Sequence, residues 1–213
     1  MSEFKHVKPA DIEKESFRII GEILEEKGIT LDEEKAPVIK RVIHTTADFS
    51  FVDTMGFTEG VIEKGIELIR HGATIITDTN MALSGINKRV VEKYGCQIKC
   101  YMADKEVGEI AKQRGVTRAT VSMEKAMEID GPKIIAVGNA PTALIELYEI
   151  MKSTGKKPDL LIGVPVGFVN VEYSKDLYKD SGVDYIINFG RKGGSNIAAA
   201  IVNALSLLAE KNG

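Results

Sequence analysis

Between Asp11 and Gly28, apolar residues return at helical spacing. Ile12, Phe17, Ile19, Ile20, Ile23 and Leu24 alternate with charged side chains, and Gly28 makes a natural stop. The stretch LDEEKAPVIKRVIHTTAD keeps that period. Thr30 and Glu33 stand at capping-box spacing before it, and Pro37 either kinks this second helix or restarts it. A third helix is predicted in TEGVIEKGIELIRHG. From Ala73 the pattern changes. Short β-type runs appear at ATIIT, QIKCYM, KIIAVG, DLLIGV and DYIINF, separated by amphipathic stretches. In one of these Leu144, Leu147, Tyr148 and Met151 share a face; in the last, Ile197, Ile201, Leu205 and Leu208 do. Continuous apolar strands alternating with such helices predict an α/β fold, a mainly parallel sheet with helices on both faces, preceded by N-terminal helices. Right-handed crossovers then put all the strand carboxyl ends on one edge, where open α/β sheets bind ligands.

The chain has 213 residues with 44% hydrophobic and 28% charged residues, as expected of one globular domain spanning residues 1–213. A net charge of -3 with both signs interspersed provides no field for nucleic acid or an anionic membrane. The N-terminal MSEFKHVKPADIEKE lacks the apolar core of a signal peptide, and no apolar run is long enough to span a bilayer. Cys96 and Cys100 share one side of a predicted strand but lie too far apart to pair. They read as two small thiols in a reducing cytosol, and no second Cys/His pair completes a zinc site. The expected location is cytoplasmic, with no resident metal.

The strand ends carry the chemical information. DTNMALSGINKR, GNAPTAL, VPVGFVN and GRKGGSN each place Gly, Pro, Asn or Asp where a strand turns into a helix. Asp78, Asn80 and Asn139 belong to these turns; GRKGGSN adds Arg191, Lys192 and a cap candidate in Ser195. N–H groups and helix dipoles at such turns favour anions. Glycine there serves close packing equally well, and none of the runs is the dinucleotide fingerprint or the P-loop. Together they point to an extended anionic ligand.

Histidine is scarce. His6 stands in a polar tail, and His71, next to Gly72, suits a helix C-terminus. His44 closes an apolar run and is followed by Thr45, Thr46 and, after Ala47, Asp48. It is either a structural histidine at a helix end or a proton-transfer group. Arg41 shares its helical stripe, and Ser16 shares the inward face of Ile12 and Ile20. A lone serine there commonly bonds back to its own helix. Composition and spacing name no reaction.

The motifs taken together do. RVIHTTADF, TDTNMALSGINKR, GVTRATVS, GNAPTALIELYEIM, GVPVGFV and GRKGGSNIAAAIVNAL resemble, in order from about Ser16 to Leu205, the precorrin-8X methylmutases of cobalamin biosynthesis. HTTADF and GRKGGSN resemble the anaerobic branch acting on cobalt-precorrin-8. The resemblance implies an isomerase that moves a methyl group from C-11 to C-12 of a tetrapyrrole, a Rossmann-like sheet and a homodimer. It implies that His44 is the catalytic histidine beside the migrating methyl. It makes Ser16 and Arg41 substrate contacts and Arg118, in VTRAT, a partner for a peripheral carboxylate. Asp78, Asn80, Asn139, Arg191 and Ser195 complete the expected substrate-binding set. No cofactor is implied; any cobalt arrives inside the substrate. Asn170 and Tyr173 depart from the family pattern of Gly and Glu before the Ser174–Lys175 pair. Two other readings remain at this level: a corrinoid carrier without catalysis, and a phosphate or nucleotide enzyme using the glycine turns.

Overall fold

The computed structural model describes residues 7–211; His6 and its polar tail lie outside them. After a 3-10 turn at Pro9–Asp11 come α1 (Ile12–Glu26), α2 (Ala36–Thr46), α3 (Phe51–Thr54), β1 (Met55–Phe57), α4 (Val61–Arg70), β2 (Thr74–Thr77), α5 (Asn80–Gly85) and α6 (Lys88–Lys93). The chain continues with β3 (Gln97–Lys99), α7 (Lys105–Arg114), α8 (Arg118–Met127), β4 (Lys133–Val137), α9 (Pro141–Thr154) and β5 (Leu160–Gly163). It ends with α10 (Val171–Asp176), β6 (Tyr185–Asn188) and α11 (Ser195–Lys211).

Two local expectations change. The second helix starts at Ala36, later than the Thr30/Glu33 spacing predicts. Asp32 Oδ1 accepts the N–H groups of Glu34 and Lys35 at 3.1 and 3.2 Å, which stabilises a turn instead. Pro37 then falls in the first helical turn, where its missing N–H costs nothing, so it starts the helix rather than kinking it. The second change is β1, a strand too short to register as alternation. It pairs antiparallel with β6, Met55 opposite Asn188 and Phe57 opposite Ile186.

The sheet order is β1-β6-β5-β4-β2-β3, and all pairs except β1–β6 are parallel. Counted among the five parallel strands, this is the doubly wound order 2-1-3-4-5, with its switch point between β2 and β4. Adjacent residues on each strand feed opposite faces. Ile75, Ile134, Leu160 and Ile186 join one core with α2, α4, α5, α6 and α11. Ile76, Ile135, Leu161 and Ile187 join the other with α8 and α9. Outside α2 lies α1, sharing a small cluster of Ile20, Leu24, Ile39 and Ile43. Among the described residues, no helix is long and apolar enough to cross a membrane.

Leu205 on α11 is fully buried and faces Gly65 of α4, where an added Cβ would stand 2.9 Å from Leu205 Cδ1. The missing side chain lets the two helices close on the sheet, with Leu205 filling the gap. Leu205→Ala is expected to lower stability by about 2–5 kcal/mol through the lost burial and the cavity left behind. Urea unfolding followed by circular dichroism measures it.

Candidate active site at the carboxyl edge

The segment after β6 does not turn straight into a helix. It runs across the ends of the neighbouring strands. The Gly194 N–H donates to Val164 O, just past β5, at 2.9 Å. A Cβ on Gly193 would clash with the same oxygen, well inside van der Waals contact. Further along, Gly138 at the end of β4 lies under Ser195; a Cβ there would be 2.7 Å from Ser195 Cα. Ser195 Oγ then meets Thr79 Oγ1, past β2, at 2.7 Å. Gly193 and Gly138 are therefore glycines because main chain packs on main chain. From β6 to β2 is three strand spacings, about 14 Å. Ser195 is consequently buried at the switch point, while Arg191 and Lys192 stay exposed near β6.

Asp78 occupies that switch point from within. It is fully buried, and its carboxylate accepts the N–H groups of Gly138, Asn139 and Ala140 at 2.8, 2.8 and 2.7 Å. Burial pushes the carboxyl above its usual range, against the pull of the three donors. The GNAP turn, expected as an anion site, thus has its main-chain donors taken by an internal anion. Asp78 positions the turn that carries the exposed Asn139. Asn80, also exposed, begins α5 behind the Thr79 cap, whose Oγ1 accepts the Ala82 N–H.

A second group of residues stands at the end of α2. His44 is exposed, in the last turn. The ring of Phe17, from α1, lies 5.2 Å from the imidazole and 5.1 Å from the Arg41 guanidinium, so both groups pack against one apolar plate. Arg41 Nη2 bonds Glu13 Oε1 at 2.6 Å, and the guanidinium holds that carboxyl below its usual value. Arg41 is therefore not a bare cation beside the ring. Ser16 takes the common helical option, donating to Ile12 O at 2.9 Å. The helix ends at Ala47, which adopts a left-handed φ of 55°, a costly conformation for a residue with a Cβ.

The two groups are tied together. Lys192 Nζ donates to Asp48 Oδ2 at 2.6 Å and Ser50 Oγ at 2.8 Å, joining the HTTADFS turn to the glycine-rich loop. The Lys192 ammonium, with Ser50 behind it, holds the Asp48 carboxyl at about 2. Thr54 Oγ1 adds a 2.6 Å bond to Asn188 Oδ1. Arg191 leans on Glu172 at 2.9 Å and on the exposed Phe168 ring. Arg118 stands apart from this group. It opens α8, bonds Met102 O at 2.9 Å beyond β3 and packs over Gly108.

Phe17, Glu13 and Asp48 were not legible as site residues. Phe17 fits an ordinary apolar helix position, and the partners of Glu13 and Asp48 are far away in sequence. Asn170 has an explanation as well: its φ of 58° is a conformation glycine adopts freely and asparagine tolerates. A cleft of about 620 Å³ opens between α1, α2 and the end of α11, lined by Phe17, Arg41, Leu207 and Leu208. His44 does not line it. Both cysteines are free; Cys96 is buried, which pushes its thiol up to about 11.

Comparison with known proteins agrees with this architecture. The sequence model of the family described as Precorrin-8X methylmutase matches residues 11–208. The cobalt-precorrin-8 methylmutase of Priestia megaterium is 44% identical over 211 residues, covering 98% of this chain and 93% of its own. That of Salmonella typhimurium is 42% identical over 204 residues, covering 92% and 94%. The crystal structure of precorrin-8X methyl mutase from Thermus thermophilus superposes with a TM-score of 0.85 at 38% identity, covering 96% of this chain and 98% of that one.

Asp78→Asn tests the internal anion. An amide oxygen still accepts from Asn139 and Ala140, but the new NH2 faces the Gly138 N–H and leaves it unpaired. A loss of about 1–3 kcal/mol is expected in thermal or denaturant unfolding.

Proposed function

This chain belongs to the precorrin-8X methylmutase family, and we propose that it moves a methyl group from C-11 to C-12 of precorrin-8 or cobalt-precorrin-8. The products are hydrogenobyrinic and cobyrinic acid, within cobalamin biosynthesis in the cytoplasm. Substrate and product are isomers. The methyl bond to C-11 breaks as the bond to C-12 forms, and a proton lent during the shift is returned before release. Such a step asks for one proton donor, a fixed conformer and a water-poor surface rather than a nucleophile. Cobalt, where present, belongs to the substrate, and no resident cofactor is proposed.

The observation that carries this reading is the cluster of Arg41 and His44 on α2 around the Phe17 ring, tied through Asp48 to the cationic 190–195 loop. The Phe17 ring offers an apolar plate to a macrocycle; His44 lends the proton; Arg41 and Arg191 pair with carboxylates on its rim. Asn80, Asn139 and Ser195 border the switch point, and Arg118 meets a more distant carboxylate. Ser16 supports the Phe17 turn and reaches ligand by exchanging its intrahelical bond. With net charge -3 there is little long-range attraction for a polyanion, so capture depends on these local cations.

We also propose a homodimer. Val166, Phe168 and Val169 leave the β5 end unusually exposed for apolar residues, Phe168 at 83% and Val169 at 78%, and a second copy would cover them.

Under anaerobic conditions, adding cobalt-precorrin-8 should change the absorption spectrum, because migration from C-11 alters the conjugated path. His44→Ala should slow that change by about 10²–10⁴-fold while retaining tetrapyrrole binding. Binding by the wild-type protein with no isomerisation would leave a carrier and sink the enzymatic reading. Light scattering should return twice the 23.3 kDa chain mass, and Phe168→Ser should shift the population towards single chains.

A further inference from the structure

Lys175 on α10 is fully buried. Its Nζ donates to Gly190 O at 2.7 Å and Lys192 O at 3.0 Å, so it grips the underside of the glycine-rich loop. Asn188 Nδ2 takes the same Lys192 carbonyl at 2.8 Å. Among the described residues Lys175 makes no ion pair. Glu172, one turn earlier, acts on it only through space and is committed to Arg191 at 2.9 Å. Asp176, next on the helix, pairs with Lys179 at 2.8 Å. The loop above brings two further cations, Arg191 and Lys192, and Asp48 is the counter-charge of Lys192. Tyr148 of α9 packs edge-on against Tyr178, which follows α10 and donates its hydroxyl to Leu144 O at 2.7 Å. A buried ammonium without a carboxylate is expensive to keep, and carbonyl oxygens satisfy its donors without cancelling its charge.

We propose that Lys175 is a positioning residue whose missing counter-charge is supplied by the ligand: it fixes the 190–195 loop from beneath and is compensated when a multiply carboxylated tetrapyrrole settles on the loop. The assignment rests on the proposed function for the nature of the ligand. Its geometry also has a consequence for α2. Lys192 carries the Asp48 tie, so the Lys175 grip on the Lys192 carbonyl bears indirectly on where His44 stands.

Burial brings the Lys175 ammonium down to about 8, with Glu172 opposing. In the free protein the buried charge therefore weighs against stability below about pH 8. That burden is relieved as pH rises from there towards the ordinary lysine value. An anion above the loop favours the charged form, so binding near pH 8 should draw a proton from solution.

Calorimetric titration of the intact protein with cobyrinic acid at pH 8, in two buffers of different ionisation enthalpy, reads that uptake. A fraction of a proton, up to about one half, is expected for the wild type. Lys175→Met should take up none and bind about tenfold more weakly at pH 7. Lys175→Arg, permanently charged, should recover affinity without uptake. Wild-type binding with no proton uptake overturns the proposal, as does a Met variant that retains both uptake and affinity. If cobyrinic acid does not bind the wild type at all, the tetrapyrrole reading fails, and a ligand-free readout decides the loop role. The amide resonances of residues 190–193 in the wild-type protein should titrate with a midpoint near 8, and their failure to move between pH 7 and 9.5 rejects it. This last measurement does not depend on a variant that folds.

Discussion

The close passage of residues 190–195 over the strand ends is the constraint on which the rest of the carboxyl edge depends. Main chain meets main chain at Gly193 over Val164 and at Gly138 under Ser195, and any side chain at either glycine would separate the layers. Because the loop lies flat, α11 begins over the middle of the sheet instead of beside β6. Its first residue can then bond Thr79 past β2. The same passage exposes Arg191 and Lys192 outward and brings Lys192 within reach of Asp48 at the end of α2.

Charge is distributed across this edge in an ordered way. A buried anion, Asp78, satisfies the main-chain donors of the turn after β4, and a buried cation, Lys175, satisfies the carbonyls of the loop after β6. Each rigidifies one turn by meeting groups of the opposite polarity. They differ in their consequences. The donors around Asp78 are three N–H groups directed at one carboxylate, which offset part of the cost of burying it. Lys175 has two carbonyl dipoles and no carboxylate. The region near β6 therefore stays electropositive in a chain whose net charge is negative.

That asymmetry suits an intramolecular rearrangement of a polycarboxylate. In the proposed reaction the protein would hold a large anion by local pairing against the Phe17 plate, beside which one imidazole stands. Under that proposal, rate enhancement would divide between proton transfer, worth about 10²–10⁴-fold, and restriction of the substrate to a reactive conformer. The Glu13–Arg41 pair holds the guanidinium against Phe17, the ring that His44 also meets. Without that acid, Arg41 would stand as an uncompensated cation one turn from the imidazole.

The layered architecture and most of the elements were legible in the sequence, because a strand buried on both faces must be continuously apolar and a covering helix must repeat at its own period. The five runs after Ala73 are β2 to β6 for that reason. What local pattern lacks is the identity of distant partners. It offered Thr30 and Glu33 as a cap, where Asp32 forms a turn; it passed over β1, whose three residues are a strand only because β6 lies alongside. The motifs alone marked His44, Arg41 and the glycine loop as belonging together. Tertiary structure decided how: Asp78 lies inside and Arg118 stands aside, while Phe17 meets His44 and Lys175 lies beneath the glycine loop. A helix period records which face of a residue is covered, and a buried lysine looks like any other lysine until folding places carbonyls over its ammonium and takes its water away.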